Sequence, residues 1–243
     1  RDHIFAKQIF PLINLIVNKP ILSEIEFQKV KKLTINSIKK EKENPFNISF
    51  EKWRKIVYSK HPYAFNSIGY ESDVKQIMYE DVLSEYEKFR NRRKYLISNN
   101  LKINPNSFEE SDQIISGKTL YYQNPYLNKE HRFVNSHNKS NQTIIMLGNQ
   151  TCSRRSSEYL PLKLLESHLS YGMSSLLFKV FREKNGITYD IGVFNPVREG
   201  NAPFLIYLSV SNKNALLAFE LLTKLWNELL FSLISDEDIF LAK

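Results

Sequence analysis

The residue types that most often bind metal ions or act as nucleophiles are present, but their spacing supports neither role. None of the five histidines belongs to a His-x-x-Glu-His or His-Glu-x-x-His pattern, which would place two imidazoles on one helix face. Cys152 is the only cysteine, so no intrachain disulfide forms, and a structural thiol is favoured over a nucleophile. Ser174 lacks the Gly-x-Ser-x-Gly surroundings of a nucleophile elbow. From the residues alone, this chain has no complete active site.

The remaining candidate is a polar pair, Arg182 and Tyr189, inside residues 171–193. The pattern predicts a helix that carries Arg182, a stop at Asn185-Gly186 and a strand that carries Tyr189. Tyr189, Ile191 and Val193 alternate as they would along one strand. The two polar side chains therefore flank a helix–strand junction. Residue by residue, an ordinary helix–strand corner explains the same pattern, and both interpretations stay open.

The start of that helix has its own signals. Gly172 is expected to end the preceding helix, since glycine readily adopts the left-handed conformation. Ser174 and Ser175 are suited to cap the next helix, because a serine hydroxyl accepts an orphan amide hydrogen of the first turn. Leu177 and Phe181 belong to its apolar stripe.

Composition excludes several classes of protein. The chain has 243 residues, of which 42% are apolar, so it can bury a sizeable core. No apolar run is long enough for a membrane span. The net charge of +8 is spread along the chain and accompanies no recognition helix, zinc-finger spacing or aromatic RNA-binding motif. We therefore predict no nucleic-acid partner, and the charge is best explained by solvated helix faces.

The order of predicted elements indicates an α+β protein. Residues 1–99 are mostly helical and end in a strand at 95–98, residues 100–117 resemble a linker, and residues 118–243 mix strands and helices. Strands are expected at 120–122, 132–134 and 143–148, followed by a hairpin of 188–196 with 203–211. Apolar spacing defines the inner faces of two helices in this second part. They consist of Leu160, Leu164, Leu165 and Leu169 in one helix and of Leu216, Phe219, Leu222, Trp226 and Leu229 in the other. Runs 23–31 and 235–243 are alike, each a capped acidic helix start, which suggests an internal repeat.

Together these motifs resemble the insulinase or pitrilysin type of zinc metallopeptidase, the family of mitochondrial-processing-peptidase-like proteins, and its bacterial two-domain members most of all. The resemblance covers most of the chain and is most specific in the run Arg-Glu-Lys-x-Gly-x-x-Tyr. It is carried by Gly172-Met-Ser-Ser-Leu-Leu-Phe178, Phe181-Arg-Glu-Lys-Asn-Gly-Ile-Thr-Tyr189, Pro20–Phe27, Ile38–Pro45 and His61-Pro-Tyr63.

The resemblance implies a fold and a domain arrangement. The family unit is a mixed, mostly antiparallel sheet covered by helices, and each subunit contains two copies of it. Residues 1–99 would be the C-terminal half of the first copy and residues 118–243 the N-terminal part of the second.

The resemblance also locates the expected zinc ligands. The family's His-x-x-Glu-His would precede Arg1, and its third ligand, a glutamate, would stand where this chain has Ser37. A serine hydroxyl is a poor zinc ligand beside a carboxylate. We therefore expect no metal and no cofactor in this chain, and zinc in a partner subunit or in the missing upstream segment.

The implied function is that of a component of a zinc-dependent peptidase which does not hold the zinc itself. In the family's heterodimeric members, an Arg and a Tyr matching Arg182 and Tyr189 support the substrate carbonyl and the oxyanion, and the loop with Gly172, Ser174 and Ser175 faces the substrate peptide. The implied partner is a zinc-bearing homologous subunit, or a second copy of this chain. The alternative is a structural or interaction subunit that has lost peptide chemistry. Whether the chain takes part in catalysis stays open, as does its compartment, bacterial cytoplasm or periplasm.

Overall fold

The computed structural model describes residues 2–92, 123–127 and 140–242, with the side chains of residue 9 and of residues 11 onward. In this part the helices are α1 (Asp2–Asn18), α2 (Glu24–Glu41), α3 (Pro45–Tyr58), α4 (Glu71–Gln76), α5 (Tyr79–Arg90), α6 (Tyr159–Ser170), α7 (Ala215–Phe231) and α8 (Asp236–Ala242). The strands are β1 (Gln142–Gln150), β2 (Thr188–Phe194) and β3 (Pro203–Ser211). A π-helical segment, Phe178–Lys184, precedes β2. The predicted linker and the predicted strands at 95–98, 120–122 and 132–134 lie outside the described residues.

The chain divides into two compact units. The first comprises Arg1–Ile38 and Ile68–Tyr121, and the second comprises Lys39–Ser67 and Tyr122–Lys243. The repeat boundaries expected from the sequence are a different kind of division and stay a prediction. No helix in the described part of the chain is long and apolar enough to cross a membrane.

Tyrosine hydroxyls hold the helices of the first unit together. The Tyr86 hydroxyl donates to the Val17 carbonyl at 3.0 Å, and the Tyr79 hydroxyl donates to the Leu22 carbonyl at 2.7 Å. The Lys31 ammonium donates to the carbonyl of Ile77 at 2.7 Å. Each bond uses a main-chain carbonyl at a helix end or in a connection, where no helical amide is available.

Local chemistry sets two helix starts where the sequence predicts them. The Ser23 hydroxyl accepts the Glu26 amide hydrogen at 3.2 Å at the start of α2. The Ser235 hydroxyl accepts the Asp238 amide hydrogen at 3.1 Å at the start of α8. Both are side-chain caps of orphan first-turn donors.

The second unit is built on an antiparallel sheet with the strand order β1-β3-β2. One face of β3 presents Phe204, Ile206, Leu208 and Val210 to a buried core that also contains Leu169, Leu177, Phe181 and Leu222 of the covering helices. On the other face, aromatic rings meet α3: Tyr207 contacts Phe46 and Phe194 contacts Phe50, each with ring centroids 4.9 Å apart. The sheet is thus covered by helices on both faces. The predicted α+β class, with its antiparallel sheet and its β2–β3 hairpin, is confirmed.

The predicted inner faces of two helices are partly wrong. Leu160 is 73% exposed, Leu216 is 70% exposed and Phe219 is 41% exposed. In α7, Leu222 is buried as predicted, but the other buried positions are Ala218 and Leu225, which the predicted face does not include. The reason is that α7 is apolar on more than one side, so periodicity alone does not determine which side faces the sheet, and the small Ala218 permits close helix–sheet packing.

A cluster of ring side chains supports the turn of the β2–β3 hairpin. The Tyr58 hydroxyl donates to the Asn201 carbonyl at 3.2 Å, and the Arg198 guanidinium lies 5.0 Å from the centroid of the Tyr63 ring. His61 Nδ1 accepts the Tyr63 amide hydrogen at 3.1 Å, and its Nε2 lies 3.0 Å from the Gln123 carbonyl. His61 therefore has the structural hydrogen bonds that its place in a loop predicts.

Candidate functional site

The loop that leads into the candidate site begins where α6 ends. The helix ends at Ser170, followed by Tyr171 in an extended conformation and by Gly172 with φ +77°, the left-handed conformation that glycine adopts readily. The Lys179 amide donates to the Ser175 carbonyl at 3.0 Å, the first helical bond of the next element. Ser174 is exposed, whereas Ser175 is only 4% exposed. Of the two serines, Ser174 is therefore the one available to a peptide, and the substrate contacts of this loop stay predictions.

The π-helical segment gives Arg182 a rigid base. Leu177 and Phe181 are completely buried in the core. Arg182 follows Phe181 directly and is exposed, with its guanidinium carbon 5.4 Å from the centroid of the Phe178 ring. A cation over an aromatic face is stabilised by the negative potential of the ring, by about 0.5–1 kcal/mol at an exposed site. π-Helical turns are rare, and they occur frequently at functional sites.

The segment ends at Gly186, as predicted. Gly186 has φ +60°, and its amide donates to the Arg182 carbonyl at 3.2 Å. The Ile187 amide reaches back to the Phe181 carbonyl at 3.1 Å. These paired bonds resemble a Schellman cap but span one residue more, because the last turns are π-helical. The carbonyl of Arg182 is thereby fixed to the turn that leads into Tyr189.

Tyr189 lies at a β-bulge. Thr188 pairs with Val210 and Asp190 pairs with Ser209, so Tyr189 is the extra residue of β2. In an uninterrupted strand Tyr189 would share a face with Ile191 and Val193, which pack against the core. Instead its side chain is 62% exposed. Tyr189 therefore lies in β2 with Ile191 and Val193, as predicted, but the bulge leaves it unpaired and far more exposed than they are.

An acid and a second tyrosine lie close to the bulge. Burial, together with the charge of Asp190, raises the pKa of the Tyr207 hydroxyl above its ordinary value of 10.0. A side chain added at Gly192 would lie 2.8 Å from the Tyr207 hydroxyl oxygen, so the ring lies across the glycine. The Tyr207 hydroxyl stays protonated at neutral pH.

The site candidates thus belong to one continuous loop, helix and strand of the second unit. Gly172 and Ser174 lie in the entry loop, Arg182 on the π-helical segment and Tyr189 on the bulged strand. Both polar side chains are exposed and both can donate hydrogen bonds to a carbonyl or an oxyanion. Sequence reasoning missed Thr188 and the bulge. The signal available was a β-branched polar residue directly before an aromatic one at a strand start.

The described residues do not fit a zinc site. Ser37 is exposed on α2 at the position where the resemblance implies a glutamate ligand. Within residues 2–92, 123–127 and 140–242, no group of three or more His, Cys, Asp and Glu side chains could hold a metal ion. The carboxylate of Glu41, one turn after Ser37, accepts a hydrogen bond from the side-chain amide of Asn66 at 3.1 Å.

Comparison with known proteins agrees with this architecture. The family model described as the peptidase M16 inactive domain matches residues 73–243. This match covers more than half of the chain, and the chain therefore belongs to that family. The resemblance to insulinase-type peptidases is confirmed.

Individual relatives show the same relationship. An uncharacterized zinc protease of Rickettsia felis is 26% identical over 239 residues, which cover 94% of this chain and 56% of the relative. The chain thus spans about half the length of the curated relatives it matches. The peptidase M16 inactive domain of Pseudomonas fluorescens has the same fold, with a TM-score of 0.76, 18% identity and coverage of 98% of this chain and 59% of that one. A chain of complex III2 from Candida albicans gives a TM-score of 0.70 at 14% identity, with coverage of 96% and 59%.

Proposed function

We propose that this chain is the non-catalytic part of a zinc-dependent peptidase of the insulinase type. It would supply substrate-binding and oxyanion-stabilising side chains to a homologous subunit that carries the zinc. The observation that carries the proposal is the presentation of Arg182 and Tyr189, two exposed hydrogen-bond donors, on either side of the turn at Gly186.

The surroundings of the pair support this role. Both residues are attached to buried neighbours: Phe181 is completely buried beside Arg182, and Thr188 is 9% exposed beside Tyr189. Groups held on rigid elements lose little freedom when they bind a substrate and need little rearrangement as charge develops. Neither side chain contributes to the core, so packing does not explain why these residue types are used.

The role proposed for Arg182 and Tyr189 requires only that both side chains donate hydrogen bonds. The guanidinium and the phenol donate hydrogen bonds to a peptide carbonyl oxygen and bind it more strongly as negative charge develops on it. Gly172 and Ser174 would contact the same peptide from the entry loop. The peptide itself would be held through its main chain as an added strand, with its side chains loosely read. The water-activating chemistry belongs to the zinc-bearing partner.

The test uses the full-length polypeptide that contains this chain, purified together with its zinc-bearing homologous subunit. We expect Arg182→Ala and Tyr189→Phe each to lower kcat for peptide hydrolysis about 10²- to 10³-fold, the cost of removing one oxyanion donor. Matched controls are Lys179→Ala, an exposed cation of the same π-helical segment, and Tyr126→Phe, a tyrosine that is 86% exposed. Both controls should retain the wild-type rate.

Unchanged rates in Arg182→Ala and Tyr189→Phe, in a complex that cleaves peptides, would overturn the role of the pair. They would favour a second candidate, a structural or interaction subunit without peptide chemistry. The same fold in a chain of the Candida albicans complex III2 supports that candidate. It predicts in addition that the full-length polypeptide binds no peptide substrate, which isothermal titration with an inactivated zinc subunit would measure.

A further inference from the structure

The bulge in β2 gives Thr188, and not Tyr189, the place opposite Val210. Thr188 pairs with Val210, a completely buried residue of the core face, and Thr188 itself is only 9% exposed. If the bulge were lost, Tyr189 would stand opposite Val210 and point into the core, because a shift by one residue exchanges the two faces of a strand. The exposure of Tyr189 therefore depends on the register in which Thr188, and not Tyr189, pairs with Val210.

The Thr188 side chain is suited to stabilising this register. Its hydroxyl oxygen lies 2.8 Å from the main-chain carbonyl oxygen of Asp190 and 3.0 Å from that of Ser209, so its one hydrogen has an acceptor on each strand of the bulge. A bulge disrupts the regular ladder and leaves main-chain groups in need of other partners. A β-branched side chain also fills the buried position without protruding into the core.

We propose that Thr188 is the positioning residue of Tyr189: its hydroxyl fixes the bulge that presents the phenol to substrate. This inference rests on the proposed function, since it gives Tyr189 its role in the reaction. It predicts that full activity requires the Thr188 hydroxyl as well as a side chain of this size. Valine has nearly the shape of threonine without the donor, whereas serine retains the donor.

The experiment compares Thr188→Val with Thr188→Ser in the full-length polypeptide combined with its zinc-bearing subunit. We expect Thr188→Val to lower kcat about tenfold with KM within about twofold of wild type, because one buried hydrogen bond no longer holds the phenol in place. Thr188→Ser should retain most of the rate. In a Tyr189→Phe background, Thr188→Val should cost little more, since the group that it positions is already absent.

Thr143 provides a matched control on the other side of β3. It pairs with the same Val210, and its hydroxyl donates to the Asn212 side-chain oxygen at 2.8 Å. Thr143→Val therefore removes a hydroxyl bond at the same level of the sheet without a bulge beside it. Its kcat should equal that of wild type.

A second measurement separates this inference from the proposed function. Hydrogen exchange of the segment Thr188–Phe194 should be about tenfold faster in Thr188→Val than in Thr188→Ser, because the bulge opens more readily. If Tyr189→Phe slows hydrolysis but Thr188→Val matches wild type, the positioning role is overturned while the proposed function stands. If Tyr189→Phe has no effect on hydrolysis, the proposed function fails. Equal hydrogen exchange in the two Thr188 variants would then also show that the Thr188 hydroxyl does not stabilise the bulge.

Discussion

At the scale of single residues, the main chain of β3 lies so close to Gly148 that no side chain fits there. A Cβ added there would lie 2.1 Å from the Phe204 carbonyl oxygen and 2.7 Å from the Leu205 Cα, distances that side-chain adjustment does not relieve. We expect Gly148→Ala to lower the free energy of unfolding by about 3 kcal/mol, because β1 must move away from β3.

The control for Gly148 is Gly186→Ala. Gly186 has φ +60° and no atom within 4 Å of an added Cβ, so only the backbone strain of a left-handed alanine applies, about 1 kcal/mol. Urea unfolding of the polypeptide 1–243, followed by tryptophan fluorescence, measures both; Trp53 and Trp226 lie in the second unit. Equal costs for the two variants would contradict the close approach at Gly148.

At the scale of elements, Tyr207 joins β3 to β2 across Gly192 and to α3 through Phe46. Burial and the charge of Asp190 raise its pKa in the folded chain above its ordinary value of 10.0. Because the folded state then binds the proton more tightly than the unfolded state, stability is greatest below about pH 10 and falls as the pH rises through the folded-state pKa.

Urea unfolding between about pH 9 and 12 tests this dependence in wild type and Tyr207→Phe. The wild-type protein should lose more stability over this range than Tyr207→Phe, and Asp190→Asn should show an intermediate loss because only the burial contribution remains. Identical pH profiles in wild type and Tyr207→Phe would show that the hydroxyl ionises equally easily in both states.

The elements also show what a sequence can predict. The caps at Ser23 and Ser235 and the helix stop at Gly186 depend on chemistry within a few residues, so local patterns identify them. The bulge at Tyr189 depends on how β2 aligns with β3, a partner in the sheet, so strand periodicity does not reveal it.

For the helices, the limit is ambiguity between apolar faces. Leu216 and Ala218 are both apolar residues of α7, and only packing against the sheet makes the smaller one the buried one. In the candidate site, the helical segment that carries Arg182 and its stop at Gly186 could be predicted from the sequence. The β-bulge at Tyr189 could not.

At the scale of the whole molecule, membership of the peptidase M16 inactive-domain family and the exposed Ser37 give one expectation for the metal. A hydroxyl in place of a carboxylate removes a charged ligand that zinc binds well. The described residues also offer no alternative group of three or more ligands. Under the proposed function, we therefore expect zinc in the partner subunit and not in the polypeptide that contains this chain.

The expectation is tested on the full-length polypeptide expressed alone and together with its zinc-bearing subunit. Alone, it should contain far less than stoichiometric zinc by metal analysis, cleave no peptide, and keep the same Tm after treatment with a chelator. The complex should contain zinc and lose hydrolysis on chelation, because catalysis then depends on the partner's metal. Stoichiometric zinc and peptide cleavage by the polypeptide alone would reverse the assignment, since Ser37 would then have to be replaced as ligand by a residue elsewhere in the full-length protein.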